Sequence, residues 1–140
     1  MHAMKKPVIP RPTGAELAIL RVLWERGPST VRQVHTVIEE QRELAYTTTL
    51  KLLQVMTEKG LVVRDERDRV HVYQAAHGAE EMQRRLVGDL MDRAFGGSAA
   101  KLVMHALAAK PATAGELREL RRIIKAYQEK EKNRGDVDKR

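Results

Sequence analysis

The stretch that most limits what this chain can fold into runs from Leu44 to Gly60, Leu-Ala-Tyr-Thr-Thr-Thr-Leu-Lys-Leu-Leu-Gln-Val-Met-Thr-Glu-Lys-Gly. At 100° per residue, Tyr46, Thr49, Leu50, Leu53 and Met56 fall on one side of a helix, with Leu52 at its edge. Thr47, Thr48, Lys51, Gln54 and Glu58 fall on the other side, with Val55 among them as the one apolar residue. The first side is a core stripe. The second is short, hydroxyl-rich and basic, a surface that suits a DNA major groove as well as it suits water. Lys59-Gly60 supplies a cation in the last turn and a glycine at the stop.

The segments before this helix read as two shorter ones. Thr13-Gly14-Ala15-Glu16 fits a capping box, followed by Leu17, Leu20, Leu23 and Trp24 at helical spacing and stopped by Gly27-Pro28. Thr30 and Gln33 form a second box, and Val31, Val34 and Ile38 continue as a buried stripe with His35 beside it. Leu44-Ala45, in the link to the third helix, reads as a brief strand. After Gly60, Leu61–Arg64 and Arg69–Gln74 alternate and are rich in β-branched residues, with a charged turn between them, the pattern of a β-hairpin. Its tip carries Arg64, Arg67 and Arg69, largely balanced by Asp65, Glu66 and Asp68. Three short helices and then a hairpin with arginines at its tip is the order of a winged helix–turn–helix, whose third helix enters the major groove and whose wing touches the backbone or minor groove.

The second half is helical as well. Met82, Leu86, Leu90 and Ala94 repeat at four-residue spacing before Gly96-Gly97. Ser98 caps a short helix holding Leu102, Val103 and Leu107. Thr113 and Glu116 form a third capping box, opening a longer helix with Leu117, Leu120, Ile124 and Tyr127. So few residues cannot cover these apolar faces among themselves, and a second copy of the chain is the economical cover. The expected contacts are Leu86, Leu90, Phe95, Leu102, Val103, Leu117, Leu120 and Ile124. A two-fold dimer sets two recognition helices about one DNA turn apart, roughly 34–36 Å.

Composition narrows the function. Among 140 residues the net charge is +7, which favours a polyanionic partner, nucleic acid first. Aromatics are only 4%, so the core is aliphatic, and the fold is mainly α. There is no cysteine, which excludes disulfides, thiolate metal sites and thiol redox sensing. The N-terminus has no apolar run typical of a signal peptide, and no stretch is long enough for a membrane helix, so a soluble cytoplasmic protein is expected. There is no GxSxG, no HExxH and no phosphate-binding glycine loop, and His2, His35, His71, His77 and His105 have no metal-ligand spacing. Neither an enzyme nor a cofactor is expected. The expected organisation is a flexible arm over residues 1–12, a winged-helix DNA-binding domain over 13–76, a three-helix dimerisation domain over 77–132 and a charged tail over 133–140.

Ala15–Trp24, Thr30–His35, Leu44–Leu50, Lys59–Val62, the strand around Tyr73, and Phe95-Gly96-Gly97 with Leu102-Val103 together resemble the penicillinase-repressor family, also called the BlaI/MecI/CopY family. The resemblance covers about residues 13–127. It implies a homodimeric transcriptional repressor that binds operator dyads through its N-terminal winged helix. In the antibiotic-resistance members, a membrane sensor with a zinc metallopeptidase domain triggers cleavage of the repressor's C-terminal domain. Carried over by position, Thr47, Thr48, Lys51 and Gln54 face bases or nearby phosphates, and Arg64, Arg67 and Arg69 touch the backbone. Three departures stand out. Gln54-Val55 replaces the Gln-Arg or Thr-Arg that the family often has late in the third helix. His105-Ala106, the candidate proteolysis site, stands where staphylococcal members have Asn-Phe. The C-terminal cysteine motif of the copper-responsive branch is missing. The competing readings are a winged helix that binds protein and a regulator that responds to a small molecule.

Overall fold

Helix α1 (Gly14–Arg26) begins as its sequence dictates: the Thr13 hydroxyl accepts from the Glu16 amide, and the Glu16 carboxylate accepts from the Thr13 amide. Helix α2 (Val31–Gln41) has the same reciprocal cap between Thr30 and Gln33. Helix α3 (Tyr46–Lys59) stops at Gly60, whose φ of +83° permits the Leu61 amide to turn back onto the Met56 carbonyl. A side chain at Gly60 would be strained at this dihedral whatever space surrounds it. The computed structural model describes residues 9–138 and divides into two compact units, Met1–Leu90 and Met91–Arg140.

The first unit is a winged helix. After α3, strands β2 (Val62–Asp65) and β3 (Val72–Ala75) form the hairpin expected from the alternating residues, pairing Val62 with Ala75 and Arg64 with Tyr73. A third strand, β1 (Ser29–Thr30), completes an antiparallel sheet of order β1-β3-β2. This corrects the expectation of a strand at Leu44-Ala45. Ser29 and Thr30 follow the α1 stop directly and reach Tyr73 and Val72, whereas Leu44 packs its side chain on the core and Ala45 is the α3 cap residue. Thr30 therefore serves both as a strand residue and as the cap of α2.

Ile19, Leu20 and Leu23 of α1, Val34 and Ile38 of α2, Leu53 and Met56 of α3, and Leu61, Val62 and Tyr73 around the sheet form one buried cluster. Met82 of α4 (Ala79–Ala94) is also in it, 1% exposed, and Leu86 packs against it. The unit thus extends to Leu90 rather than ending near residue 76, because the first turns of α4 supply part of its core. Leu86, expected at a dimer contact, is half-buried against that core. The Trp24 indole Nε1–H donates to the His77 carbonyl at 2.9 Å, which ties the chain entering α4 to α1. Residues 1–8 of the expected arm lie outside the described residues. Of the rest, Ile9 rests on the core, Pro12 is buried, and Arg11 pairs with Asp89 at 3.1 Å.

Glu16 is the unit's most telling polar residue. It is 1% exposed, caps α1, and takes the Lys59 ammonium on both carboxylate oxygens at 2.9 and 3.0 Å, joining the start of α1 to the end of α3. Burial raises its pKa, but the bonds from the Thr13 backbone and from Lys59 outweigh burial and set it below the ordinary 4.5. A carboxylate with a depressed folded pKa stabilises the fold above its unfolded pKa, and that contribution is lost as pH falls through the folded value. Glu16→Gln is therefore expected to cost about 1–3 kcal/mol at neutral pH and to flatten the loss of stability on acidification below 4.5. Urea midpoints of both proteins across this pH range check it.

In the second unit, Gly96 and Gly97, at φ of +58° and +80°, turn the chain from α4 into α5 (Ala99–Ala109), which Ser98 caps through the Lys101 amide. Helix α6 (Ala114–Asp138) opens on the Thr113–Glu116 box. It continues past Asn133, where a charged tail was expected, because no Pro interrupts it and Gly135 alone does not end it. Residues 139–140 lie outside the described residues. No described residue of this unit is buried.

Candidate nucleic-acid interface

The orientation of α3 is set from behind. Thr49 is fully buried, and its hydroxyl lies 2.9 Å from His35 Nδ1 on α2. His35 meets the Tyr46 ring edge-on at 5.5 Å, and the Arg32 guanidinium lies 4.7 Å from the centre of the same ring. These contacts, together with the burial of Leu53 and Met56, fix the rotation of α3 about its axis. The same rotation leaves Thr47, Thr48, Lys51, Gln54 and Glu58 exposed on the opposite side. All four residues expected to face a ligand on this helix share that side. Leu52 and Val55 are half-buried there and join Thr47, Thr48 and Lys51 in lining an open groove of about 350 Å³.

The start of α3 differs from those of α1 and α2. Its cap residue is Ala45, which offers no side-chain acceptor. The Thr48 and Thr49 amides donate to the Ala45 carbonyl at 3.0 and 3.2 Å, and no side chain covers the turn ahead of them, where the helix dipole favours an anion.

The wing arginines divide. Arg67 is held by Asp65 at 2.6 and 3.0 Å, and this bond, with the Arg67 amide, pulls the Asp65 carboxyl down to about 2. Arg64 bonds the Tyr73 hydroxyl and the Glu66 carboxylate, which raises its pKa, and it is only partly exposed. Both cations are thus neutralised within the hairpin. Arg69 is exposed and has no ion-pair partner among the described residues. It lines a second groove, of about 260 Å³, with Thr30, Arg32, Tyr46 and His71, where the wing meets the starts of α2 and α3. Arg32 is an addition to the site that the sequence pattern does not single out. Its only local signal is its position in the first turn of α2, and its approach to the wing is a tertiary fact.

No group of three or more metal-ligating side chains occurs among the described residues, and no described helix is long and apolar enough to cross a membrane. His71 and His77 do not come together with a carboxylate in such a group.

The chain is similar to known proteins. The family described as penicillinase repressor matches residues 12–126. The chain is 41% identical over 80 residues to the transcriptional regulator BlaI of Mycobacterium tuberculosis, a match covering 56% of this chain and 58% of that protein. It thus spans little more than half the length of the curated relatives it matches. Among solved structures it is similar to monomeric Bacillus licheniformis BlaI in complex with the blaP half-operator, at 22% identity and a TM-score of 0.47, covering 53% of this chain and 90% of that one. It is also similar to the DNA-binding domain of the repressor BlaI, at 24% identity and a TM-score of 0.47, covering 56% and 93%. Since the family match takes in the winged helix and continues through α5 into α6, the chain belongs to the penicillinase repressor family.

Proposed function

We propose that this chain is a DNA-binding transcriptional repressor that acts as a homodimer on pseudo-palindromic operators. The observation that carries the proposal is the exposed Thr47, Thr48, Lys51 and Gln54 face of α3, held outward by the His35–Thr49 anchor in a chain of net charge +7. Hydroxyls and a lysine at successive turns match base edges and phosphates in a major groove. The uncapped start of α3 and the exposed Arg69 lie where backbone phosphates flank that groove, and Arg32 stands beside them. The regulators that share this family support a role in transcription rather than catalysis.

Dimerisation is supported by apolar surface that the chain itself leaves open. Leu90 is 49% exposed, Val103 42%, Ile124 54% and Tyr127 67%. On α6, Leu117, Leu120, Ile124 and Tyr127 recur at alternating steps of three and four, the spacing of a helix-pairing seam. Phe95 and Leu102 are half-buried, and Phe95 stacks on His105 at 5.5 Å. Relief of repression by a membrane metallopeptidase sensor is the family's implied route. Here His105–Ala106 lies inside α5 with both residues exposed, so cleavage at that bond requires α5 to open locally.

The test begins with sequencing the DNA that the purified protein retains from its own genome. Affinity for a retained fragment is expected to fall steeply with salt, as Lys and Arg release counterions. The double variant Thr48→Ala, Lys51→Ala is expected to weaken binding by about 1–3 kcal/mol for each base-edge interaction it removes, measured by fluorescence anisotropy at fixed salt. Unchanged affinity in that variant would overturn the assignment of α3.

A further inference from the structure

Thr48, Leu52 and Val55 follow one another at steps of four and three on α3, so they form a single strip along the helix. The strip lies between the exposed polar residues and the edge of the core. Leu52 and Val55 are half-buried, yet both line the open groove with Thr47, Thr48 and Lys51. Leu52 also packs against the core, whereas Val55 is not among the side chains that do, and a helix face turned only to water gains nothing from an aliphatic side chain there. A face that met only phosphates would gain more from cations than from these side chains, and Lys51 is the one cation among the residues lining the groove.

The major groove of DNA presents one apolar group, the C5 methyl of thymine. We infer that the Thr48–Leu52–Val55 strip reads thymine methyls, so that operator choice at these positions rests on van der Waals contact with a methyl group instead of a hydrogen bond from a cation. Charge argues for DNA over an apolar protein partner: Lys51 borders the same groove, Arg69 and Arg32 lie beside the start of the helix, and the chain carries +7. Val55 is the residue on which the inference turns: unlike Leu52 it is not among the side chains packed on the core, and it has no polar atom with which to satisfy any other base edge. The inference rests on α3 being the DNA-binding helix, and the experiment separates the two.

The probe is a duplex made from a genomic fragment that the protein retains, with each half-site thymidine replaced in turn by deoxyuridine, which pairs identically and lacks only the methyl. Wild type is expected to lose about 3- to 10-fold in affinity at one or two of these positions, the scale of one buried methyl. Val55→Ala is expected to bind the thymidine duplex about as weakly as wild type binds the deoxyuridine duplex at that position, and to be indifferent to the replacement. Circular dichroism confirms that Val55→Ala is folded. Equal wild-type affinity for every deoxyuridine duplex overturns the methyl-reading inference and leaves α3 as a DNA-binding helix. Retention of no DNA at low salt overturns both.

Discussion

Met82→Ala is expected to lower the stability of the winged-helix unit by about 2–5 kcal/mol, the range for emptying a buried Met or Leu site. Met82 is 1% exposed and shares a cluster with Ile19, Leu23 and Tyr73. It enters that cluster from α4, a helix that by sequence position belongs to the second half of the chain. The comparison variant is Val87→Ala, five residues on and 47% exposed, which is expected to change stability by roughly 0.5 kcal/mol or less. Two truncations separate on the same grounds. A chain ending at Ala76 lacks Met82, the Leu86 cover and the Trp24–His77 hydrogen bond of 2.9 Å. A chain ending at Leu90 keeps all three. Urea denaturation should therefore show a marginal fold for the shorter chain and a cooperative one for the longer. A wild-type midpoint for Met82→Ala would mean that α4 does not complete this core.

The second large effect concerns the proposed dimer. A chain ending at Leu90 lacks Val103, Leu117 and Ile124 and is expected to sediment as a monomer. Its affinity for a full operator is expected to fall by about 10²–10⁴-fold, because the two half-site binding events are no longer linked and the second becomes a separate bimolecular event. Its affinity for an isolated half-site should stay close to that of the full chain, since α3 and the wing are intact. Analytical ultracentrifugation and anisotropy titrations on full and half operators measure the two quantities. A dimeric Leu90-terminated chain with full operator affinity would show that the interface between copies lies in the first unit.

Much of the site was legible because its signals are local. Thr13, Thr30, Ser98 and Thr113 announce helix starts through bonds that span three residues. The split of α3 into a buried and an exposed side follows from periodicity, and Thr49, though a polar residue, falls on the buried side as its angle requires. The wing was legible as two alternating runs around a charged turn. Its electrostatics were legible only in sum: the balance of three arginines against three acids was plain, but not that Arg64 takes Glu66 and Arg67 takes Asp65 while Arg69 pairs with neither. Side-chain pairing within a turn depends on backbone geometry that composition does not encode.

What the sequence determined by itself is the set of elements, the stripe each one must bury and the face it offers. Those follow from bonds and spacings within a few residues. What only the tertiary structure decided is which stripe covers which. Ser29 and Thr30, rather than Leu44 and Ala45, reach Val72 and Tyr73 to close the sheet. Lys59 crosses from the end of α3 to neutralise Glu16, and Met82 turns the first part of α4 into core for the winged helix. The physical reason is that burial of apolar surface is non-directional: a periodic stripe states that it must be covered, and the packing of elements distant in sequence selects the partner.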